Sequence, residues 1–260
     1  MGWQEDIDRF CAWLVAGGGS VETVRLRRHY LRRLAERHAD PWSVTLDDLV
    51  AYVATPQWAP ETRKAARSTV RGFYRWAALT DRVTKDPSVL LPPVPIPPTK
   101  PRPAPDFVLA RALIAAPPRD ALMICLAAYA GLRRAEIATL HTAHIVADEL
   151  QLVGKGRRGR TVPLHPQLQI ALDIVQPGWV FPGRIDGHLS PGHVGKVLSR
   201  LLGPGWTGHK LRHRFASRAY AVERDLYAVQ QLLGHSRPET TARYVALPDD
   251  ALRAAVLGAA

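Results

Sequence analysis

Cysteine is scarce: the 260 residues hold only Cys11 and Cys125. Two thiols cannot build a disulfide framework or a cysteine zinc site. Long apolar runs are scarce as well. The longest, residues 121–132, covers twelve positions and is too short to span a bilayer. The opening decapeptide MGWQEDIDRF is acidic and lacks an apolar signal core. Secretion, membrane insertion and membrane partners are therefore not expected; a cytoplasmic, nucleoid-associated protein is. Carboxylates do not cluster, and His29, His38, His141, His144, His165, His188 and His193 form no recognisable ligand set. No metal and no cofactor are expected, and no internal repeat is visible.

What the chain has in excess is positive charge. Lys and Arg number 35 against 23 Asp and Glu, a net +12. An excess of that size points to a polyanionic partner, nucleic acid before a membrane surface. It is unevenly spread. Residues 196–218 hold six basic side chains and no acid, and two dense clusters lie earlier, at 25–37 and 63–75. Any one basic run reads equally well as a solvated face. Several, in both halves, favour a clamp around double-stranded DNA.

Residues 86–105 read DPSVLLPPVPIPPTKPRPAP. Its prolines remove backbone donors and fix φ, so an extended linker is expected over 87–105, between domains at 1–86 and 106–260. The first domain reads as helical. Ile7, Phe10, Cys11 and Leu14 form one stripe, ended by the glycines at 17–19. Ser20 caps a second helix carrying Arg27 and Arg28, a third follows Thr45, and a fourth follows Pro60. In the fourth, Ala66, Val70, Phe73 and Ala77 face a core while Arg63, Arg67, Arg71 and Arg75 line a neighbouring face. Such a helix suits a DNA groove. The second domain begins helical, then short β-branched runs around Ile145, Leu150 and Thr161 suggest a small antiparallel sheet. The loop GKGRRGR before Thr161 carries Lys155, Arg157 and Arg158. From Pro191 the pattern is helical to the end. The expected fold is mainly α with a small antiparallel sheet.

Four patches carry candidate chemistry. AGLRRAEIATL places Arg133 after a glycine break, three residues before Glu136. GKGRRGRTVPL places Lys155 on a hairpin loop. HKLRHRFASRAY puts His209 and Arg212 on one helix face. LLGHSRPETTARY puts His235 nine residues before Tyr244. Singly, each is weak: a surface arginine, a loop lysine, a common HxxR pair, one tyrosine among seven.

Their order is what carries information. Taken together they resemble the tyrosine recombinase (phage integrase) family. The resemblance covers 106–260 and extends loosely to 1–86 as a helical core-binding domain. It implies a catalytic set of Arg133, Lys155, His209, Arg212, His235 and the nucleophile Tyr244, with Glu136 as acidic support. It further implies a site-specific recombinase that acts without metal or ATP at attachment or core sites. Such an enzyme works through a 3′-phosphotyrosyl intermediate and a Holliday junction. No extra domain for distant arm sites is expected, as in short integrases or Xer-type enzymes. The tail after Tyr244 is expected to form a short helix through Leu252, Val256 and Leu257. The resemblance favours its docking on a neighbour, giving a monomer in solution and a homo-tetramer on paired DNA sites.

The chemistry is consistent. Rejoining a phosphodiester without an energy cofactor requires the bond to be stored as a covalent phosphoprotein. Arg133 and Arg212 offer planar forks to non-bridging oxygens. His235 can add a hydrogen bond there, His209 can accept the tyrosine proton, and Lys155 can protonate the departing 5′ oxygen. Two other readings stay open. A DNA-binding regulator would not need Tyr244, Lys155 and both arginines together. A type IB topoisomerase shares them, but would relax any supercoiled DNA rather than recombine two sites.

Overall fold

The computed structural model describes residues 2–97, 101–153, 159–235, 238–242, 244–245 and 256–257. It divides into two compact units, Met1–Pro98 and Thr99–Ala260.

The first unit contains α1 (Trp3–Ala16), α2 (Val21–Ala35), α3 (Leu46–Val53) and α4 (Pro60–Leu79). The helices begin where the sequence offers caps. The Ser20 hydroxyl accepts the Thr23 amide at 3.3 Å, and Thr45 and Asp48 form a reciprocal capping box. Pro60 takes the first position of α4, where a missing N–H leaves no bond unmade. The stripes then meet: Ile7 and Phe10 of α1, Leu31 and Leu34 of α2, Tyr52 of α3 and Phe73 of α4 are buried together. Trp3 and Trp42 each stack on Phe73 at 5.7 Å, and Phe10 meets it edge-on at 5.5 Å. Such pairs add about 1 kcal/mol each beyond area burial.

The basic residues of this unit are not equally available. Arg71 and Arg75 are exposed and Arg63 is half-buried. Arg67 instead donates to the Leu91 carbonyl at 2.7 and 3.2 Å. Arg27 reaches Ser68 at 2.8 Å and Thr69 at 3.0 Å, and Arg28 pairs with Asp8. A long side chain beside a helix seam finds carbonyls, hydroxyls and carboxylates within reach. The sequence pattern shows the stripe but not these partners.

The second unit contains α5 (Asp106–Ala115), α6 (Pro118–Tyr129), α7 (Arg134–Ala138), a 3-10 turn (Thr142–His144), β1 (Ile145–Val146), β2 (Glu149–Val153), β3 (Gly159–Pro163), α8 (Pro166–Asp173), β4 (Pro182–Ile185), α9 (Pro191–Leu202), α10 (Gly208–Glu223), α11 (Leu226–Leu233) and α12 (Pro238–Ala242). The apolar run at 121–132 is explained by α6, which packs against α5, α8, α9 and α10. A helix covered on several sides must be apolar nearly all round. The sheet is antiparallel in the order β1-β2-β3, with Leu150 opposite Val162. Both point into the core. Helix α8 and strand β4, which turns back on His188, have no counterpart in the sequence reading. The proline-rich stretch is packed at both ends: Leu91 and Val94 on the first core, Ala104 within the second. Among the described residues no helix is long and apolar enough to cross a membrane.

Arg67 ties the segment after α4 to that helix. Arg67→Ala should therefore lower stability by about 2 kcal/mol, the worth of hydrogen bonds from a charged donor. Amide exchange at Leu91 should also accelerate. Unchanged denaturant midpoint and exchange would show that the bond contributes nothing.

Candidate active site

The site is built around α10. Its buried Arg212 enters a region bounded by the α6–α7 turn, the end of α11 and Tyr244. The turn works because Gly131 adopts φ +62°, and a Cβ there would lie 2.4 Å from the Phe215 ring. The Gly131 carbonyl accepts an Arg212 N–H, Leu233 accepts another at 2.5 Å, and Arg212 Nη2 lies 3.3 Å from His235 Nε2. A guanidinium has five N–H donors. These three contacts leave two, and the buried Nε has no partner among the described residues. Burial, then the charge of Arg133, lowers the Arg212 pKa to about 9, so it stays cationic at neutral pH.

Arg133 caps α7 and donates to Glu136 at 2.8 Å from both its backbone and its side chain. The same carboxylate takes a bidentate pair from Arg160 of β3, at 2.7 and 2.8 Å. Arg160 also donates to the Leu232 carbonyl of α11 at 2.9 Å. It runs so close to Gly234, at φ +60°, that a Cβ there would sit 2.8 Å from Arg160 Cδ. Burial pushes the Glu136 pKa up, but the hydrogen bonds and charge of Arg160, with Arg133, outweigh it and hold the group to about 2. Glu136 thus joins α7, β3 and, through Arg160, α11.

Tyr244 sits among rings. His213 stacks on it at 4.3 Å with 13° between planes, His209 meets it edge-on at 5.0 Å, and His235 lies at 4.8 Å. His235 keeps a definite tautomer. Arg212 has only donors, so Nε2 must accept, and Nδ1 donates to the Thr241 hydroxyl at 3.0 Å. Burial, then Arg212, lowers its pKa to about 3. The sequence expectation was a hydrogen bond from His235 to phosphate; in this arrangement its Nε2 presents a lone pair to Arg212 instead. His209 stays open to solvent on one side but is crowded by its neighbours. Desolvation first, then the charges of Lys210 and Arg212, lowers its pKa.

A cavity of about 800 Å³ opens at this point, lined by Arg133, Arg134, Lys196, His209, Arg212 and Tyr244 among others. None of its described lining residues is acidic. The structure therefore brings together Arg133, Glu136, His209, Arg212, His235 and Tyr244. Lys155, Arg157 and Arg158 lie outside the described residues. Sequence reading missed His213, Arg160 and Thr241. Of these, only His213 carried a signal, standing beside Arg212 and four residues after His209 on one helix.

Two buried histidines give the fold a pH limit. Burial holds His213 at about 4 and His235 at about 3, against an ordinary 6.5. The unfolded chain takes up protons near pH 6.5 while the folded rings stay neutral, so stability falls as pH drops below that value. Each should remove about 2 kcal/mol between pH 7 and pH 5. Glu136 adds to the loss only below about pH 4.5. Urea midpoints at pH 7 and pH 5 check this; equal midpoints would contradict it.

Comparison with known proteins places the chain in a family. The model of the phage integrase family matches residues 109–250. The tyrosine recombinase XerA of Thermococcus kodakarensis is 28% identical, over 96% of this chain and 94% of its own length. The integrase of mycobacterium phage Brujita is 26% identical with a TM-score of 0.52, covering 95% of this chain and 96% of its own. A lambda integrase dimer bound to a COC′ core site shares the fold, with a TM-score of 0.75 at 20% identity over 94% of this chain and 77% of that one. The chain belongs to the phage integrase family and is a tyrosine-class, site-specific DNA recombinase.

Proposed function

We propose that Tyr244 is the nucleophile and that Arg133 and Arg212 receive the scissile phosphate. The observation that carries this reading is Arg212: a buried guanidinium with two donors unspent, facing a cavity whose described lining is cationic and free of carboxylates. Such a site lacks an anion, and a phosphodiester supplies one with oxygens suited to guanidinium donors. The Tyr244 oxygen forms the new bond to phosphorus, its proton passes to His209, and the bond to the 5′ oxygen breaks. Lys155 protonates that leaving oxygen. The product is a 3′-phosphotyrosyl linkage, which the reverse reaction rejoins to a new 5′ hydroxyl. Charge on the phosphate is neutralised by arginine, so no metal is required.

His209 is preferred over His213 as proton acceptor on geometric grounds. An imidazole lone pair lies in the ring plane. In the nearly parallel His213 stack that plane runs alongside the phenol, whereas the His209 ring stands at 73° to it. Arg63, Arg71 and Arg75 are the members of the α4 stripe proposed to meet DNA phosphates, since Arg67 is engaged internally.

Tyr244→Phe should bind DNA normally and form no covalent adduct, and chelator should leave wild-type cleavage unchanged. Lys155→Ala should slow cleavage of an ordinary phosphodiester far more than that of a 5′-bridging phosphorothiolate, whose leaving sulfur needs little protonation. An adduct in the Tyr244 variant would assign the wrong nucleophile. Equal defects on both substrates would reduce Lys155 to a phosphate contact.

The working form is proposed to be a tetramer on two paired core sites, assembled from monomers through the tail. Val256 and Leu257 support this reading: both are helical and expose about three-quarters of their surface, 74% and 73%. The rest of the expected tail helix, including Leu252, lies outside the described residues. Deleting residues 249–260 should preserve half-site binding but weaken cooperative assembly and recombination. Full synapsis by the truncated protein would exclude docking in trans.

A further inference from the structure

We propose that His213 and Ser217 form a clasp on the main chain of Tyr244, making His213 a positioning residue for the attacking phenol. The proposal rests on Tyr244 being the nucleophile. Its observations are separate from those that assign the phosphate site.

His209, His213 and Ser217 are spaced by four on α10, so they share one face of that helix. The Tyr244 carbonyl receives two donors from this face, His213 Nδ1 at 3.4 Å and Ser217 Oγ at 3.3 Å. A carbonyl has no proton, so Nδ1 must carry the hydrogen. His213 is only 7% exposed, and burial with the neighbouring His209 holds it neutral, so this tautomer persists at physiological pH. The same ring lies flat on the Tyr244 ring at 4.3 Å. One side chain therefore fixes the residue twice, gripping the backbone with its edge and the phenol with its face.

The local chain needs such a grip. Helix α12 has five residues, too few to hold its own shape. Its other moorings are the Tyr244 amide on the Thr241 carbonyl at 2.8 Å, Thr241 on His235, and the buried Val245 against Ala216, Val229 and Leu233. These hold the segment. The rings of His209 and His235 also border the phenol, at 5.0 and 4.8 Å, but of the three histidines it is His213 that holds both ring and backbone, and reaction requires that the phenol oxygen be held near the phosphorus. Misplacement by about 1 Å is enough to slow an oriented reaction about 100-fold.

The test uses the full chain on a core-site DNA whose cleavage traps the covalent adduct. His213→Phe keeps a face for stacking and loses the donor. His213→Asn keeps a donor near the Nδ1 position and loses the face. Ser217→Ala removes the second donor with little change in volume and serves if the histidine variants fold poorly. Adduct formation should slow about 100-fold in the His213→Phe, Ser217→Ala double variant, and by less in each single one. His213→Asn should recover part of the loss relative to His213→Ala. Half-site affinity should change less than about twofold, because phosphate contacts are untouched.

The decisive measurement places His213→Phe in a Tyr244→Phe background and supplies hydrogen peroxide as a substitute nucleophile. Peroxide-driven cleavage should match that of Tyr244→Phe alone, because a positioning residue for the tyrosine does not act on the phosphate. If peroxide cleavage falls by the same factor as adduct formation, His213 serves the phosphate site and the clasp is wrong. Unchanged adduct formation in His213→Phe and Ser217→Ala also overturns it. A covalent adduct in Tyr244→Phe itself would instead overturn the assignment of the nucleophile.

Discussion

The arrangement of the site depends on how one mostly buried carboxylate, Glu136, is shared among arginines. Glu136 takes four hydrogen bonds, one from a backbone amide and three from two guanidinium groups. Two like charges at about 4 Å repel by about 4 kcal/mol at a surface-like dielectric. Arg133 and Arg160 could not approach each other without it. The burial of Glu136 is unfavourable taken alone and is offset only because its oxygens are saturated. Since Glu136 is consumed by this pair, Arg212 is left with carbonyls and a neutral histidine. The anion-hungry cavity follows from that arithmetic. A second carboxylate beside Arg212 would have stabilised the empty fold and abolished the site.

Much of this was legible in the sequence, for reasons that can be named. Ser20 and Thr45 announced helix starts because capping is local chemistry. The stripes of α1 and α4 were visible because a 3.6-residue period is imposed by geometry, not by partners. The order of Arg133, Lys155, His209-Arg212, His235 and Tyr244 identified the family before any geometry was known. What escaped was relational. Arg160 looked like one more loop arginine, and only folding shows its guanidinium flat against Glu136, 24 residues away. Arg27 sits in a basic cluster and Arg67 on a stripe that reads as a DNA face, yet their partners lie 24 to 42 residues away in sequence. His213 could have been noticed from its place on the His209 face, but its stacking on Tyr244 depends on where residue 244 returns. Helix α8 was missed because His165 and Pro166 look like loop residues until seen as cap and first turn.

Helix α10 is the element on which these relations converge, and it is held from two directions. One face carries Arg212, His213 and Ser217 toward Tyr244. Along another, the chain entering the unit runs beside the helix: Arg102 lies over Trp206, just before the helix begins, at 4.8 Å, the Ala104 amide donates to the Lys210 carbonyl at 3.0 Å, and Asp106 pairs with Arg214 and Arg218. The contacted residues again step by four. These contacts are not equal in strength. Asp106 and Arg218 are more than half exposed, at 64% and 62%, so their pairing is screened and worth little. Ala104 is 2% exposed, and its hydrogen bond is formed where an unpaired amide would be costly. The buried backbone bond therefore sets the position of this strap, and the ion pairs only trim it. Because Lys210 lies between His209 and Arg212, the same turn of α10 that bears the proposed base and the buried arginine is fixed at its back by main chain. That is the more rigid choice, since a main-chain bond does not depend on the rotamer of a long exposed side chain.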